Sequence, residues 1–398
     1  MSSLHEALRG MRVLDFSQLA AGPACSMLLA DLGAEVLKVE PPEGDLGRTL
    51  GPGWVGADSA LYHAFNRDKR SICLDLKSPE GLAVARRLVA DADVLLESMR
   101  PGVMERLGLG YAQLRRDHPR LVYCSVSAYG QEGPYAQRAG VDGILQADTG
   151  LMGLVGVPGA EPCKVQAPVV DVVTGHIACN AILAKLLQRG RDGQGGHLDV
   201  NLMNSAIALQ LPSFASYLSD GVLPTRLGSA APYSAPNEAF KTADGWIMVA
   251  AYIGDRWERL CALLERPDLL GDERFASSRA RTAHRPALRE ELNAVFRRHP
   301  TAHWLEALQA QDILCARVAS YADLAAHPQL AANGLLSTVE VPGHGPLRLP
   351  GFPVNSREEN ARPRQAAPAL GQHSREVLRA CGFGEEQVDR LYASGAVR

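Results

Sequence analysis

The 398-residue chain is 46% hydrophobic and 21% charged, with a formal net charge of −3, 38 glycines and 25 prolines. That near-neutral balance gives no reason to expect nucleic acid or an anionic membrane as a partner, and the length points to two domains rather than one core. Eight cysteines, at 25, 73, 124, 163, 179, 261, 315 and 381, form no C-x-x-C pair and lie mostly in apolar stretches, which fits reduced thiols better than disulfides or a metal site.

The N-terminus, MSSLHEALRGMRVLDF, has no apolar run before a cleavage site, and no stretch elsewhere reaches the ~20 apolar residues of a membrane span, so a cytoplasmic protein is the expectation. Residues 11–17 (MRVLDFS) read as a buried strand. Gly22-Pro23 then opens a helix that Gly33 stops, and residues 34–40 form the next strand. Another strand covers 71–76, and Ser78-Pro79-Glu80 caps a helix running to Asp91. Strands at 92–98 and 121–129 continue the series. Short apolar strands alternating with helices predict a parallel sheet covered on both faces, although no G-x-G-x-x-G follows the first strand. In such a sheet ligands bind beyond the carboxyl ends of the strands, where Gln18 and Leu19 lie.

A long apolar helix spans 172–189, a glycine turn 190–196, and a strand 197–203. The character changes near residue 225: Asp244-Gly245 marks a hairpin, and arginine-rich amphipathic helices run from Asp255 to about Ala332. Beyond Val341 the chain is punctuated by proline and glycine and ends in two short helices around 374–394. The expected organisation is an α/β protein with a Rossmann-like, parallel-sheet large domain built from both chain ends (1–205 and 333–398), a linker at 206–225 and a smaller α+β domain at 226–332.

Six collinear strings carry a family likeness. They are residues 10–45 (GMRVLDFSQLAAGPACSMLLADLGAEVLKVEPPEGD), 66–81 (NRDKRSICLDLKSPEG), 92–111 (ADVLLESMRPGVMERLGLGY), 127–135 (SAYGQEGPY), 193–205 (GQGGHLDVNLMNS) and 370–378 (LGQHSREVL). Together the chain resembles the family III CoA-transferases over essentially its full length. The resemblance implies an enzyme moving coenzyme A between an acyl group and a carboxylate, with CoA thioesters as substrates and no other cofactor. It also implies an interlocked homodimer.

An aspartate at a helix start, as Asp171 is in KVQAPVVDVVTGH, is ordinarily an N-cap. The resemblance implies that Asp171 is the catalytic nucleophile, and a helix N-terminus suits an ionised carboxylate. It also implies CoA contacts from Leu74, Asp75 and Lys77, from Ser98, Met99 and Arg100, and from Arg106 and Arg138. Lys77 and Arg106 would pair with phosphate oxygens. The chain departs from formyl-CoA transferases at two places: Pro41 stands where they stack an arginine on adenine, and Ala20 where they offer a glutamine to the substrate. Oxalate or formate chemistry is therefore disfavoured. Glycine-rich stretches at 150–159 and 227–233 are candidates for covering the site or supplying oxyanion donors.

The related α-methylacyl-CoA racemases need a second base, a histidine within a G-H-D motif. Here the string is Gly140-Val141-Asp142, and valine accepts no proton. His176 lies one helical turn beyond Asp171 and reads as a packed or surface residue. A non-catalytic acyl-CoA-binding subunit of a heteromeric transferase is the other alternative, and the presence of Asp171 speaks against it. The family's range suggests succinyl-CoA as donor and a C4–C5 dicarboxylate such as itaconate, mesaconate or citramalate as acceptor, with Arg48, Arg226 and Arg138 available to hold a second carboxylate.

Overall fold

The computed structural model describes residues 4–354 and 364–398, so 355–363 of the expected return segment lie outside the described residues. It divides into two compact units: residues 1–151, 164–221 and 328–398 form the first, and residues 152–163 and 222–327 the second.

The first unit is built on six strands: β1 (Arg12–Phe16), β2 (Glu35–Glu40), β3 (Arg70–Cys73), β4 (Val94–Glu97), β5 (Val122–Ser127) and β6 (Gly196–Asn201). Every pairing is parallel, and the order across the sheet is β3-β2-β1-β4-β5-β6. This is the doubly wound order, in which the winding reverses between β1 and β4. Near-continuous burial along β4 and β5 explains why these strands read as unbroken apolar runs rather than alternating ones.

Helices cover both faces. On one, α1 (Ala21–Asp31) and the 24-residue α3 (Val169–Asp192) pack together, with α2 (Asp142–Asp148) against the start of α3. Gly175 permits the close approach of α1 and α3, because a Cβ there would sit 2.8 Å from the Ala21 carbonyl oxygen. On the other face, Val377, Leu378, Val388 and Leu391 of the two C-terminal helices, Ser374–Ala380 and Glu385–Ala393, join Leu14, Phe16, Ile72 and Leu95 of the sheet. Val397 completes this return by bridging to Leu74. The second unit packs helices against an antiparallel sheet of three strands, Asn237–Lys241, Trp246–Ala250 and Leu314–Arg317, over a core containing Phe240, Phe275, Phe296 and Trp304.

Three sequence expectations change. The stretch expected as a linker, 206–225, is helical to Asp220, because Asn201 caps a helix over Leu202–Leu209 and Leu211-Pro212 starts another. Contrary to the expectation that no run is apolar enough, α3 has the length and the composition to cross a membrane. Its apolar character serves packing against α1 and the sheet, and Asp171, His176 and Lys185 interrupt it. Finally, α3 begins at Val169, so Asp171 lies within the first turn and Pro168 holds the cap position without a side-chain bond.

Candidate active site

The loop leaving β1 is fixed from beneath by a buried charge cluster. Asp15 accepts the Ser17 amide at 2.9 Å and the hydroxyls of Ser17 and Ser26, and Lys69 Nζ lies 3.3 Å away. Burial alone would raise the Asp15 pKa, but Lys69 and Lys38 hold it below its ordinary value. Lys38 Nζ donates to the Ser17 carbonyl at 2.8 Å and pairs with Asp45 at 2.6 Å. Asp45 in turn accepts the amides of Leu19 (3.0 Å) and Gly47 (2.7 Å). This grip accounts for Leu19 standing at φ +68°, a conformation that costs a branched residue and persists only where its surroundings impose it. Gln18 is tied across the switch point, its amide donating to Ser98 Oγ at 3.0 Å. The Ser98 loop is held the same way, with Glu97 accepting the Met99 amide at 2.7 Å.

Above these loops lies a cavity of about 420 Å³ at the carboxyl ends of β1, β4 and β5, within the size range of small-molecule sites. Gln18, Leu19, Ser98, Met99, Arg100, Arg138 and Asp171 all line it. Asp171 is partly buried, and burial first, then the negative charge of Asp142, pushes its carboxyl up to about 7. The Arg138 guanidinium lies 3.5 Å from the centre of the Tyr135 ring. Among the described residues no histidine lines the cavity, and Val141 is part of its wall. His176 is exposed on the following turn of α3 and does not line it either.

Other expected contacts lie elsewhere. Leu74, Asp75 and Lys77 follow β3, the edge strand two places from the switch point; Leu74 is buried and the Asp75 carboxylate accepts the Lys77 amide at 2.9 Å. Arg106 is exposed on the short helix Val103–Arg106 and does not reach the cavity wall. Arg48 is committed internally: it bonds Glu40, Asp58, the Tyr62 hydroxyl and the Pro368 carbonyl, so it is not available to a substrate carboxylate. Arg226 belongs to the second unit and donates to the Ala160 carbonyl. The two glycine-rich stretches meet each other there, the Gly228 amide donating to the Gly156 carbonyl at 2.9 Å.

Two lining residues were not singled out in the sequence. Lys164 brings a third cation, its stem beside Gly143 at the start of α2, where a Cβ would sit 3.6 Å from Lys164 Cδ. Asp142 approaches from α2 and accepts the amides of Val170 and Asp171 at 2.8 and 3.2 Å. Lys164 sits in the KVQAPVVD string, but only the fold shows that it turns toward the cavity. Among the described residues, no carboxylate forms an ion pair with Arg100, Arg138 or Lys164.

Comparison with known proteins agrees with this geometry. Residues 8–374 match the family described as CoA-transferase family III. The chain is 35% identical to succinyl-CoA:glutarate CoA-transferase of Mus musculus, covering 98% of this chain and 90% of that one. It is 37% identical to succinate–glutarate CoA-transferase of Agrobacterium fabrum (93% and 94% covered) and 34% identical to succinyl-CoA:mesaconate CoA-transferase of Haloarcula hispanica (95% and 97%). Among solved structures, a CAIB/BAIF family protein from Brucella suis superposes with a TM-score of 0.84 at 34% identity, covering 94% of this chain and 99% of that one. A full-length family match, homologous CoA-transferases and a doubly wound sheet with its cavity at the switch point lead to one conclusion: the chain is an enzyme belonging to the family III CoA-transferases.

Proposed function

We propose that the protein transfers CoA from succinyl-CoA to a second dicarboxylate of four or five carbons, with Asp171 as the covalent carrier. The observation that carries this reading is Asp171 sharing a cavity with three cations that, among the described residues, no side-chain carboxylate engages. A thioester brings its acyl group to the carboxylate; a dicarboxylate needs a further positive group for its far end. The succinyl, glutarate and mesaconate chemistry in the relatives' names supports the same substrate class.

In the proposed cycle an Asp171 oxygen attacks the thioester carbonyl, the C–S bond breaks, and CoA leaves as thiolate. The product is a mixed anhydride. The thiolate then attacks Asp171 Cγ and expels succinate, leaving an aspartyl-CoA thioester. The acceptor carboxylate attacks the same carbon and releases thiolate again, forming a second anhydride. Thiolate finally attacks the acceptor carbonyl, and Asp171 is regenerated as a carboxylate. Charge balances at each stage, so no proton donor is needed. The Gln18 and Leu19 amides already donate to Ser98 and Asp45, which leaves oxyanion stabilisation to other groups.

Arg100 and Arg138, which line the cavity with Ser98 and Met99, suit the pantetheine and phosphate portion of CoA, and Lys77, after β3, and Arg106, on the helix Val103–Arg106, are assigned to its nucleotide. Lys164, which approaches from the α2 side, is assigned the far carboxylate of the acyl group. Lys164→Met is therefore expected to raise KM for a dicarboxylate acceptor by about 10–100-fold, the value of one charge-assisted contact. KM for a monocarboxylate of equal length should stay unchanged, and equal losses for both would remove the assignment. The homodimer is proposed on the exposed apolar face of helix Leu211–Asp220, where Leu211, Phe214 and Leu218 are uncovered.

The direct test is incubation with succinyl-CoA, trapping with hydroxylamine or borohydride, and mass spectrometry of the peptide containing Asp171. A panel of acceptor acids then identifies the second substrate. Exchange of the α-proton in deuterated water without any adduct on Asp171 would establish a racemase instead.

A further inference from the structure

The transferase reading gives no role to the aspartate of Gly140-Val141-Asp142, yet Asp142 is the best-connected acidic group in the cavity wall. Its Oδ2 accepts two consecutive amides at the first turn of α3, from Val170 at 2.8 Å and from Asp171 itself at 3.2 Å. Its Oδ1 accepts from Gln146 Nε2 at 2.5 Å. Gln146 is fully buried, and it also binds both backbone groups of Val165, accepting the amide at 2.9 Å and donating to the carbonyl at 3.1 Å. The chain therefore stays fixed at both ends of the loop leading into Asp171, with Pro168 contributing no cap of its own.

Resting on the assignment of Asp171 as nucleophile, we propose that Asp142, braced by Gln146, is a positioning residue that fixes the backbone of Asp171 and sets the reactivity of its carboxylate. A capping carboxylate borrowed from a neighbouring helix does two things that a cap within α3 could not. It leaves the Asp171 side chain free, since that residue no longer caps its own helix. It also places a negative charge beside the nucleophile and cancels the favourable field of the helix end. Both influences oppose ionisation of Asp171, in line with the upward shift that burial and Asp142 produce there. A more basic carboxylate is a stronger nucleophile toward a thioester once ionised. Among the described residues the other charged side chains lining the cavity are Arg100, Arg138 and Lys164, all cations; neither α1 nor helix Leu202–Leu209 brings a charged side chain to it.

The test is the single-turnover rate of Asp171 acylation by succinyl-CoA, read by mass spectrometry from about pH 5 to about pH 9. Asp142→Asn retains an acceptor for the two amides but removes the charge. Its acid limb is expected to move down by at least about half a pH unit while the plateau rate falls severalfold. Asp142→Glu restores the charge and should return the limb to the wild-type position. Gln146→Ala keeps the charge but loosens the brace, so its limb should stay in place while its plateau rate falls severalfold. An unmoved limb in Asp142→Asn, with loss of thermal stability alone, would make Asp142 only a helix cap and overturn the proposal. If Asp142→Asn does not fold, Gln146→Ala decides: a wild-type plateau rate in that variant overturns it as well. A wild-type enzyme that turns over without ever acylating Asp171 would instead remove the nucleophile assignment beneath it.

Discussion

Asp171→Ala is expected to lower kcat by at least about 10⁴-fold, the scale seen when a covalent nucleophile is deleted. CoA binding should survive, because Gln18, Leu19, Ser98 and Met99 are positioned by Asp45, Ser98 Oγ and Glu97 and not by Asp171. Helix α3 should also survive, since Asp142 and not Asp171 binds its first amides. Steady-state turnover together with calorimetric CoA titration separates these outcomes. Loss of folding would assign Asp171 a structural role, and retained turnover would end its role as nucleophile.

That separation was only half legible in the sequence. The parallel sheet could be read from apolar runs such as those of β4 and β5, and the return of the C-terminus from the proline- and glycine-rich stretch after Val341. The carboxyl ends of several strands came out up to three residues long, because the chain leaves them through local turns such as those in which Glu97 and Asp75 accept the amide two residues on. The expected linker failed because its start is capped by Asn201, a residue that read as part of a strand.

At the site, position alone read Asp171 as a helix cap, and the family resemblance made it the nucleophile. It could not show that a second aspartate 29 residues earlier takes that role over. Nor could it distinguish Arg48 from Arg138. Both are arginines in loops, but Arg48 faces Glu40 and Asp58 within the fold, whereas Arg138 lines the cavity. Which cations remain for a substrate depends on which carboxylates the fold brings to them, and those partners come from distant parts of the chain.

Asp171→Asn should make the protein more stable, by an amount that grows with pH. The carboxyl is raised from its ordinary 3.8 to about 7 in the folded state, so that state keeps a proton that the unfolded chain releases. Wild-type stability therefore falls as pH rises from about 4 through about 7 and stays low above that. The shift at full value corresponds to roughly 4 kcal/mol, and partial solvent access reduces this to on the order of 2 kcal/mol. Asparagine does not titrate and keeps nearly the same shape. The variant should match wild type near pH 4 and unfold a few degrees higher near pH 8 in thermal melts, while losing turnover. Equal melting at both pH values would show that Asp171 sits in an environment that does not penalise its charge. The reason to expect the gain is functional. A carboxylate exposed to water would be stable, but its anhydride and thioester would hydrolyse before the acceptor arrived. The burial that protects those intermediates also destabilises the ionised resting enzyme, and the residue that pays that cost is the one the chemistry cannot replace.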